Sequence, residues 1–225
     1  MKKSEKTEGK TRILIVDDHP MMRQGLALLI DHEADLQTCS EADTAGQALN
    51  LIASQKPDLV LADISLPDKS GLELIKDIQA LHPGLPVLVV SMHDESLYAE
   101  RVLRAGGRGY VMKQEGGKKL MQAIRQVLAG QTYVSEKIST KIIEAFAGGR
   151  QKVEASPLER LSDREFEVFR LIGGGKGTRE IAEHLHLSVK TVEVHRANIK
   201  KKLNLARGPD LVHQAIRWVE AQKAV

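Results

Sequence analysis

Residues 59–71, LVLADISLPDKSG, decide how the chain is read. Leu59, Val60, Leu61 and Ala62 form an unbroken apolar run, as in a strand buried on both faces of a parallel sheet. The run ends on a carboxylate, Asp63. Pro67, Asp68, Lys69, Ser70 and Gly71 then supply turn chemistry before a new helical pattern begins. Asp63 is therefore expected at the carboxyl end of a buried strand, where open α/β sheets form their ligand crevice. Taken alone, it reads more readily as a helix cap or a loop carboxylate.

Working outward, the pattern recurs. Arg12 to Val16 reads as a short buried strand ending on Asp17, Asp18, His19 and Pro20, with Pro20 suited to the first turn of a helix. Met22, Leu26, Leu29 and Ile30 then share one helical face. Leu36 to Ser40 is a second strand, and Thr44 caps a helix striped by Ala48, Leu51 and Ile52. After the central stretch, Leu72, Leu74, Ile75 and Ile78 mark a helix ending near His82. Pro86 to Val90 is another apolar run, ending on Ser91. Glu95 to Ala105 reads as a helix stopped by Gly106 and Gly107. Gly109 to Met112 is a strand ending on Lys113, and Leu120, Ile124, Val127 and Leu128 line a helix stopped by Gly130. Strand and helix alternate about five times, which implies a parallel sheet with helices on both faces.

Parallel strands end on one side of their sheet, so Asp17, Asp18, Asp63, Ser91 and Lys113 are expected to converge on one edge. Crowded carboxylates repel unless a cation joins them, and an oxygen-rich site with open positions suits Mg²⁺. A carboxylate beside such an ion can act as a nucleophile toward phosphorus. A lysine and a hydroxyl can then hold phosphate oxygens.

The segments VDDHP, LADISLPDKSG, VVSMHDE and RAGGRGYVMK together resemble the receiver domain of two-component response regulators, over about Thr11 to Gly130. The resemblance implies a flavodoxin-like, doubly wound five-stranded parallel sheet. It implies that Asp63 accepts a phosphoryl group from a sensor histidine kinase. Asp18 would bind Mg²⁺ (or Mn²⁺) directly and Asp17 through water, with the Ser65 backbone carbonyl completing the protein ligands alongside Asp63. Ser91 would turn toward the phosphate, Tyr110 would be the coupled switch aromatic and Lys113 would form a salt bridge. Leu66 and Gln114 depart from the common pattern without touching this chemistry. Residues beside Asp63 and Ser91 are expected to tune dephosphorylation.

Composition bounds the rest. Hydrophobic residues are 42% and charged residues 28%, as in ordinary globular proteins, while aromatics at 3% argue against base-stacking platforms for single strands. No run of membrane-spanning length and no signal-peptide pattern occur, and the lone Cys39 excludes an internal disulfide, so a cytoplasmic protein is expected. Charge is unevenly divided: from Lys152 onward there are 14 Lys and Arg against 10 Asp and Glu, and before it 19 against 20, out of 33 and 30. The basic surplus lies in the C-terminal part, which favours contact with a polyanion there. The expected boundaries are a disordered tail over 1–10, a receiver over 11–131, a linker over 132–156 and a DNA-binding domain over 157–225. Within the linker, Ile138, Ile142, Ile143 and Phe146 share a face, so Glu136 to Ala147 reads as an amphipathic helix ended by Gly148 and Gly149. Residues 151–156 are polar and read as flexible.

In the C-terminal part, Ser162 and Glu165 form a capping box before Phe166, Phe169 and Ile172. Gly173, Gly174 and Gly175 break that helix. A short helix carries Ile181, Ala182 and Leu185, and Ser188 caps a third helix running to about Lys202, a helix-turn-helix pattern. Projection at 100° per residue puts Val192, Ile199 and Leu203 inward with His195 at their edge. Lys190, Val194, Ala197 and Lys201 centre on the opposite face, flanked by Glu193 and Asn198. Opposite a major groove, Val194 or Ala197 can meet thymine methyl groups, and Lys190, Arg196, Lys200, Lys201 and Lys202 can reach phosphates. A solvated charged face fits the lysines equally well. The eight histidines are expected to form no metal site: His184 and His186, two apart on a helix, do not face each other, while His19 and His93 should lie near the acidic pocket.

LSDREFEVFRLI followed by TREIAEHLHLSVKTVEVHRANIKKKLNL resembles the LuxR-type DNA-binding domain, and the whole chain resembles the NarL/FixJ family of response regulators. This implies a second, smaller all-α four-helix domain that binds double-stranded DNA through Glu193, Val194 and Ala197. Thr178, Ser188, Lys190, Thr191, Asn198 and Lys201 would complete the contact set. Many relatives carry lysine where Glu193 stands, so base preference is expected to differ; Glu193 either accepts from a cytosine amine or faces solvent. The last helix, Asp210 to Ala221, would pair two copies through Leu211, Ala215 and Trp218, although Trp218 also reads as plain core. The expected protein is thus a phosphorylation-switched regulator forming a homodimer on phosphorylation or DNA binding, with no membrane contact and no enzymatic turnover beyond autodephosphorylation. A phosphohydrolase reading of the same pocket is weakened because Ser65 stands where a second acid two residues after Asp63 would be needed. A constitutive DNA-binding protein would leave the complete acidic pocket without a purpose.

Overall fold

The computed structural model describes residues 9–147, 157–185 and 187–223. The expected tail falls almost wholly outside these residues, as do the stop at Gly148 and Gly149, the polar run 151–156 and His186. The chain divides into two compact units, Met1–Ser139 and Thr140–Val225.

The first unit alternates β1 (Thr11–Val16), α1 (Pro20–Asp31), β2 (Leu36–Ala42), α2 (Ala45–Gln55), β3 (Leu59–Ala62), α3 (Gly71–Leu81), β4 (Val87–Ser91), α4 (Glu95–Arg104), β5 (Gly109–Met112) and α5 (Gly116–Leu128). The five strands are all parallel in the order β2-β1-β3-β4-β5. That order reverses direction between β1 and β3, the point at which a doubly wound sheet opens a crevice. Side chains alternate across each strand. Ile13, Ile15, Leu59, Leu61, Leu88, Val90 and Val111 share one core cluster with Leu26 and Ile30 of α1 and Leu120, Ile124 and Val127 of α5. The residues between them, from Leu14 and Val60 to Val89 and Tyr110, are also buried. Both faces of the sheet are therefore covered, as the apolar runs require.

The helix starts follow local chemistry. Pro20 stands in the first turn of α1, where its missing N–H costs no hydrogen bond. Thr44, Ser70 and Asp94 cap α2, α3 and α4 with side-chain oxygens. Two expectations need correction. Leu29, placed on the inward face of α1, is 43% exposed; Leu26 and Ile30 alone are buried there. A helix resting on a sheet buries a narrower stripe than its apolar residues span.

Beyond α5 the chain returns to the sheet edge. Tyr133 N donates to Arg108 O at 3.0 Å, and Tyr110 N donates to Tyr133 O at 2.9 Å, so this segment pairs with β5. Helix α6 follows over Glu136–Ala147. Ile138 is buried, but Ile143, expected on the same face, is 64% exposed, which is the second correction.

The second unit holds α7 (Asp163–Gly173), α8 (Thr178–His184), α9 (Val189–Lys202) and α10 (Gly208–Lys223). The capping box at Ser162 and Glu165 forms: Glu165 N donates to Ser162 Oγ at 3.3 Å and Ser162 N to Glu165 Oε2 at 2.7 Å. Phe166, Phe169, Ile172, Ile181, Val192, Ile199, Leu211 and Ala215 are its core. Gly173 does more than end α7. A Cβ there would lie 2.4 Å from the Ala215 carbonyl oxygen, so α10 approaches α7 where only glycine leaves room.

Candidate functional site: an acidic pocket and a basic helix

Asp63 follows β3 directly, and its N–H donates to Val16 O at 2.8 Å, which extends the β1–β3 ladder one residue past the strand. Asp17 continues β1 in the same way, donating to Ala42 O at 3.0 Å. The two carboxylates are thus anchored by backbone at the switch point of the sheet. Gly71 sets the far side of the loop. A Cβ at this position would lie 2.2 Å from the Asp63 carbonyl oxygen, so the N-terminus of α3 presses against the strand end only because residue 71 has no side chain.

The expected five side chains converge. Lys113 Nζ lies 2.6 Å from Asp17 Oδ2 and 2.7 Å from Asp63 Oδ2, and the lysine and both carboxylates are almost fully buried. Burial works against the Lys113 ammonium, but the Asp63 and Asp17 carboxylates outweigh it and hold its pKa above the usual lysine value. Ser91 Oγ donates to Asp63 Oδ1 at 2.6 Å, and Ile64 N donates to the same oxygen at 2.6 Å. The Tyr110 ring is fully buried, and its hydroxyl donates to the His93 carbonyl at 2.8 Å. Burial pushes its phenol well above the usual tyrosine value, against a smaller opposing hydrogen bond from Ser91.

The donors fit a divalent cation. Oxygens of Asp17, Asp18 and Asp63 and a ring nitrogen of His19 all lie within 4.8 Å of one another. Asp18 Oδ1 is buried and receives no hydrogen bond, although His19 Nδ1 lies 2.7 Å away. A carboxylate oxygen in that position can serve as a hard ligand. His19 and His93 lie by the pocket as expected, but His19 stands among the possible ligands, where no histidine was expected. The partners in two further contacts were not read from the sequence. Asp68, read only as a turn residue, accepts from Ala45 N and Gly46 N, both at 2.9 Å, and so caps α2 from the loop behind Asp63. Ser65 Oγ and His93 Nε2 are 2.8 Å apart, a link between the loops after β3 and β4.

In the second unit, α9 separates its faces as projected. Val192 and Ile199 are fully buried and Leu203 nearly so, while Lys190, Glu193, Val194, Ala197, Asn198 and Lys201 stand exposed. Ser188 Oγ accepts from Thr191 N at 3.0 Å and pairs with Thr191 Oγ1 at 2.7 Å, so both hydroxyls serve the helix start. Thr178 opens α8 half-buried. Lys202 does not belong to the open set: its Nζ lies 2.5 Å from Glu165 Oε2. The expected pairing residues on α10 also need correction. Leu211 and Ala215 have no exposed surface and form the core of their own unit. Trp218 is half-buried and packs edge-on against Phe166 at 5.4 Å and beside Phe169 at 5.8 Å, so part of it serves its own unit. The apolar stripe of α10 is spent on α7, which a sequence pattern alone does not reveal.

Residues 13–125 match the response regulator receiver domain, and residues 159–215 match the luxR family of bacterial regulatory proteins. The chain belongs to the response regulators that join a receiver to a LuxR-type DNA-binding domain, the NarL/FixJ family. These are DNA-binding two-component regulators of transcription. Among relatives, the oxygen regulatory protein NreC of Staphylococcus haemolyticus is 35% identical over 210 residues, covering 92% of this chain and 97% of that protein. A LuxR-family two-component response regulator from Aurantimonas sp. SI85-9A1 is 34% identical, covers 62% of this chain and 99% of its own, and superposes with a TM-score of 0.57. RcsB of Salmonella enterica serovar Typhimurium, bound to the promoter P1flhDC in the presence of the phosphomimetic BeF3⁻, is 25% identical over 92% of this chain and 98% of its own, with a TM-score of 0.69.

Proposed function

We propose that Asp63 is the phosphoacceptor of this regulator and that a sensor histidine kinase is the donor. One observation carries the reading: the Asp63 carboxylate is held between Ser91 Oγ and Lys113 Nζ, with the Asp17 and Asp18 carboxylates alongside. Mg²⁺ or Mn²⁺, held by Asp17, Asp18, Asp63 and the Ser65 carbonyl, would neutralise charge on the transferring phosphoryl group. An Asp63 oxygen attacks phosphorus, the P–N bond to the kinase histidine breaks, and the imidazole leaves. Lys113 and Ser91 then shift their contacts from the carboxylate to phosphoryl oxygens, where charge-assisted hydrogen bonds are strongest. Their shift pulls the β4–α4 loop and Tyr110 with it. Autodephosphorylation would follow when water reaches the same phosphorus, at a rate that residues beside Asp63 and Ser91, such as the Ser65–His93 pair, would tune.

The reading extends to the second unit, over 157–225, as the DNA-binding part after a linker. Lys190, Thr191 and Lys201, with Thr178 and Ser188, engage the phosphate backbone, while Glu193, Val194, Ala197 and Asn198 face base edges. RcsB bound to its promoter with a phosphomimetic supports duplex DNA as the target and phosphorylation as the switch. Two copies binding two half-sites is the expected assembly. A cytoplasmic site of action agrees with the family; among the described residues no helix is long and apolar enough to cross a membrane.

The test is labelling by a small phosphodonor such as acetyl phosphate. The wild-type chain should take up label with Mg²⁺ and lose it with EDTA, and Asp63→Ala should take up none. Undiminished labelling of Asp63→Ala would remove Asp63 from this role.

A further inference from the structure

Helix α6 is joined to β5, which carries Tyr110, and to α4, the helix that follows the Ser91 loop. The chain leading into it pairs with β5 through Tyr133, whose carbonyl accepts from the N–H of Tyr110, the buried switch aromatic itself. Two residues later, Ser135 caps the start of α6: its carbonyl accepts from Ser139 N at 2.9 Å and its hydroxyl from Ile138 N at 3.3 Å. The same hydroxyl donates to Glu95 Oε1. Glu95 is the first residue of α4 and stands four positions after Ser91. So one serine caps α6 and also holds the helix that follows the Ser91 loop.

Glu95 has one carboxylate oxygen bonded and one not. Its second oxygen, Oε2, is buried and receives no hydrogen bond. A buried carboxylate oxygen without a partner costs free energy even on a half-buried side chain, so the contact depends on where its surroundings hold α4. Tyr133 and Lys119 also feel the Glu95 charge, and burial, with the Glu115 and Glu95 carboxylates, raises the Tyr133 phenol above its usual value. A displacement of the β4–α4 loop therefore acts directly on the root of α6.

We propose that the Glu95–Ser135 hydrogen bond, with the Tyr133–β5 pairing, couples the receiver switch to helix α6, so that occupation of the Asp63 pocket changes the order of the first turn of α6. The proposal rests on Asp63 as phosphoacceptor. Ser135 and Glu95 act here as positioning residues, remote from the reacting atoms.

Amide hydrogen exchange on the full chain, with Mg²⁺ alone and with Mg²⁺ plus beryllofluoride, tests this. In the wild type, peptides around Asp63 and the amides of Ile138 and Ser139 should both change protection on adding beryllofluoride, the latter by about fivefold, the scale of one net hydrogen bond. Ser135→Ala and Glu95→Ala should keep the change around Asp63 and lose the change in α6. Glu95→Gln, which keeps an acceptor oxygen, should retain both. A response in α6 that is absent from the wild type, or equal in wild type, Ser135→Ala and Glu95→Ala, overturns the coupling alone. Absence of any change around Asp63 in the wild type overturns the phosphoacceptor reading and this proposal with it. Thermal melts of each variant separate loss of coupling from loss of fold.

Discussion

The acidic pocket and the outer face of α9 are built on opposite principles. In the pocket, Asp63, Asp17, Ser91 and Lys113 are buried or nearly so, and each is held by its neighbours at hydrogen-bonding distance. On α9, Lys190, Glu193, Val194, Ala197, Asn198 and Lys201 stand exposed, and the helix is held from behind by Val192 and Ile199. The pocket therefore ties its chemistry to the stability of the fold, as a preorganised reacting site must. The helix face is nearly free of that tie, so its side chains can vary with the DNA they meet while the domain stays intact. Substitutions should divide along this line, with pocket changes felt in folding or labelling and changes on the outer face of α9 felt only in DNA binding.

The largest stability effect is expected behind the pocket. In Gly71→Ala the new methyl group would lie 2.2 Å from the Asp63 carbonyl oxygen and 2.8 Å from Ile64 Cα, both backbone atoms. The strand end and α3 would have to part, at a cost of about 3 kcal/mol, the upper range for overpacking a buried site. Urea unfolding of the full chain measures this, and labelling at Asp63 should fall in parallel. A variant as stable as the wild type would show that the loop is not held by close backbone approach.

How far each region was legible follows from the same contrast. The pocket was open to inspection because parallel strands end together, so five separate apolar runs ending on Asp17, Asp18, Asp63, Ser91 and Lys113 predict one cluster. The Asp68 cap on α2 was invisible, because it joins residues 23 positions apart through a loop whose path no periodicity encodes. Ser135 was hidden for a related reason: a polar residue after a helix reads as linker until its partner on α4 is located. On α9, a projection at 100° per residue sorted inside from outside. On α10 the same pattern misled, since Leu211 and Ala215 form an apolar stripe that fits a partner copy and a neighbouring helix equally, and the structure spends it on α7.

Next in size are effects on DNA affinity. Lys190→Ala and Lys201→Ala should each weaken binding to all sequences and lower the slope of log K against log salt by about 1, with melting unchanged. Glu193→Gln should instead alter preference at one base pair, from cytosine, whose amine a carboxylate accepts from, toward adenine. The expected discrimination is about 1–3 kcal/mol. Selection of bound sequences from a random pool by both proteins measures it. Identical selected sites would place Glu193 in solvent. A loss of stability in any of these variants would break the contrast between the two regions.

The smallest effect lies at the seam, where α9 turns inward. His195 Nδ1 is buried and receives no hydrogen bond, and burial holds its pKa below the usual 6.5, against a smaller opposing pull from the Glu165 carboxylate. The charges that act on it are Glu165 and Arg164, both from α7. The sign follows from proton uptake. Above about pH 6.5 the imidazole is neutral in both folded and unfolded chains, and its contribution to stability is whole. As pH falls through that value the unfolded chain binds a proton that the folded one resists, so stability declines until the folded pKa is reached. Glu165, whose pKa lies below the usual carboxylate value, loses its contribution only at lower pH, so the two windows separate. Urea melts followed by Trp218, the single tryptophan of the chain, report on this unit. Between pH 7.5 and 5.5 the wild type should lose stability and His195→Gln should lose less. The loss should appear without change in selected DNA sites, because His195 lies on the inner edge of α9, away from the face proposed to meet DNA. An equal slope in both proteins would mean that the inner edge of α9 is as accessible to protons as its outer face.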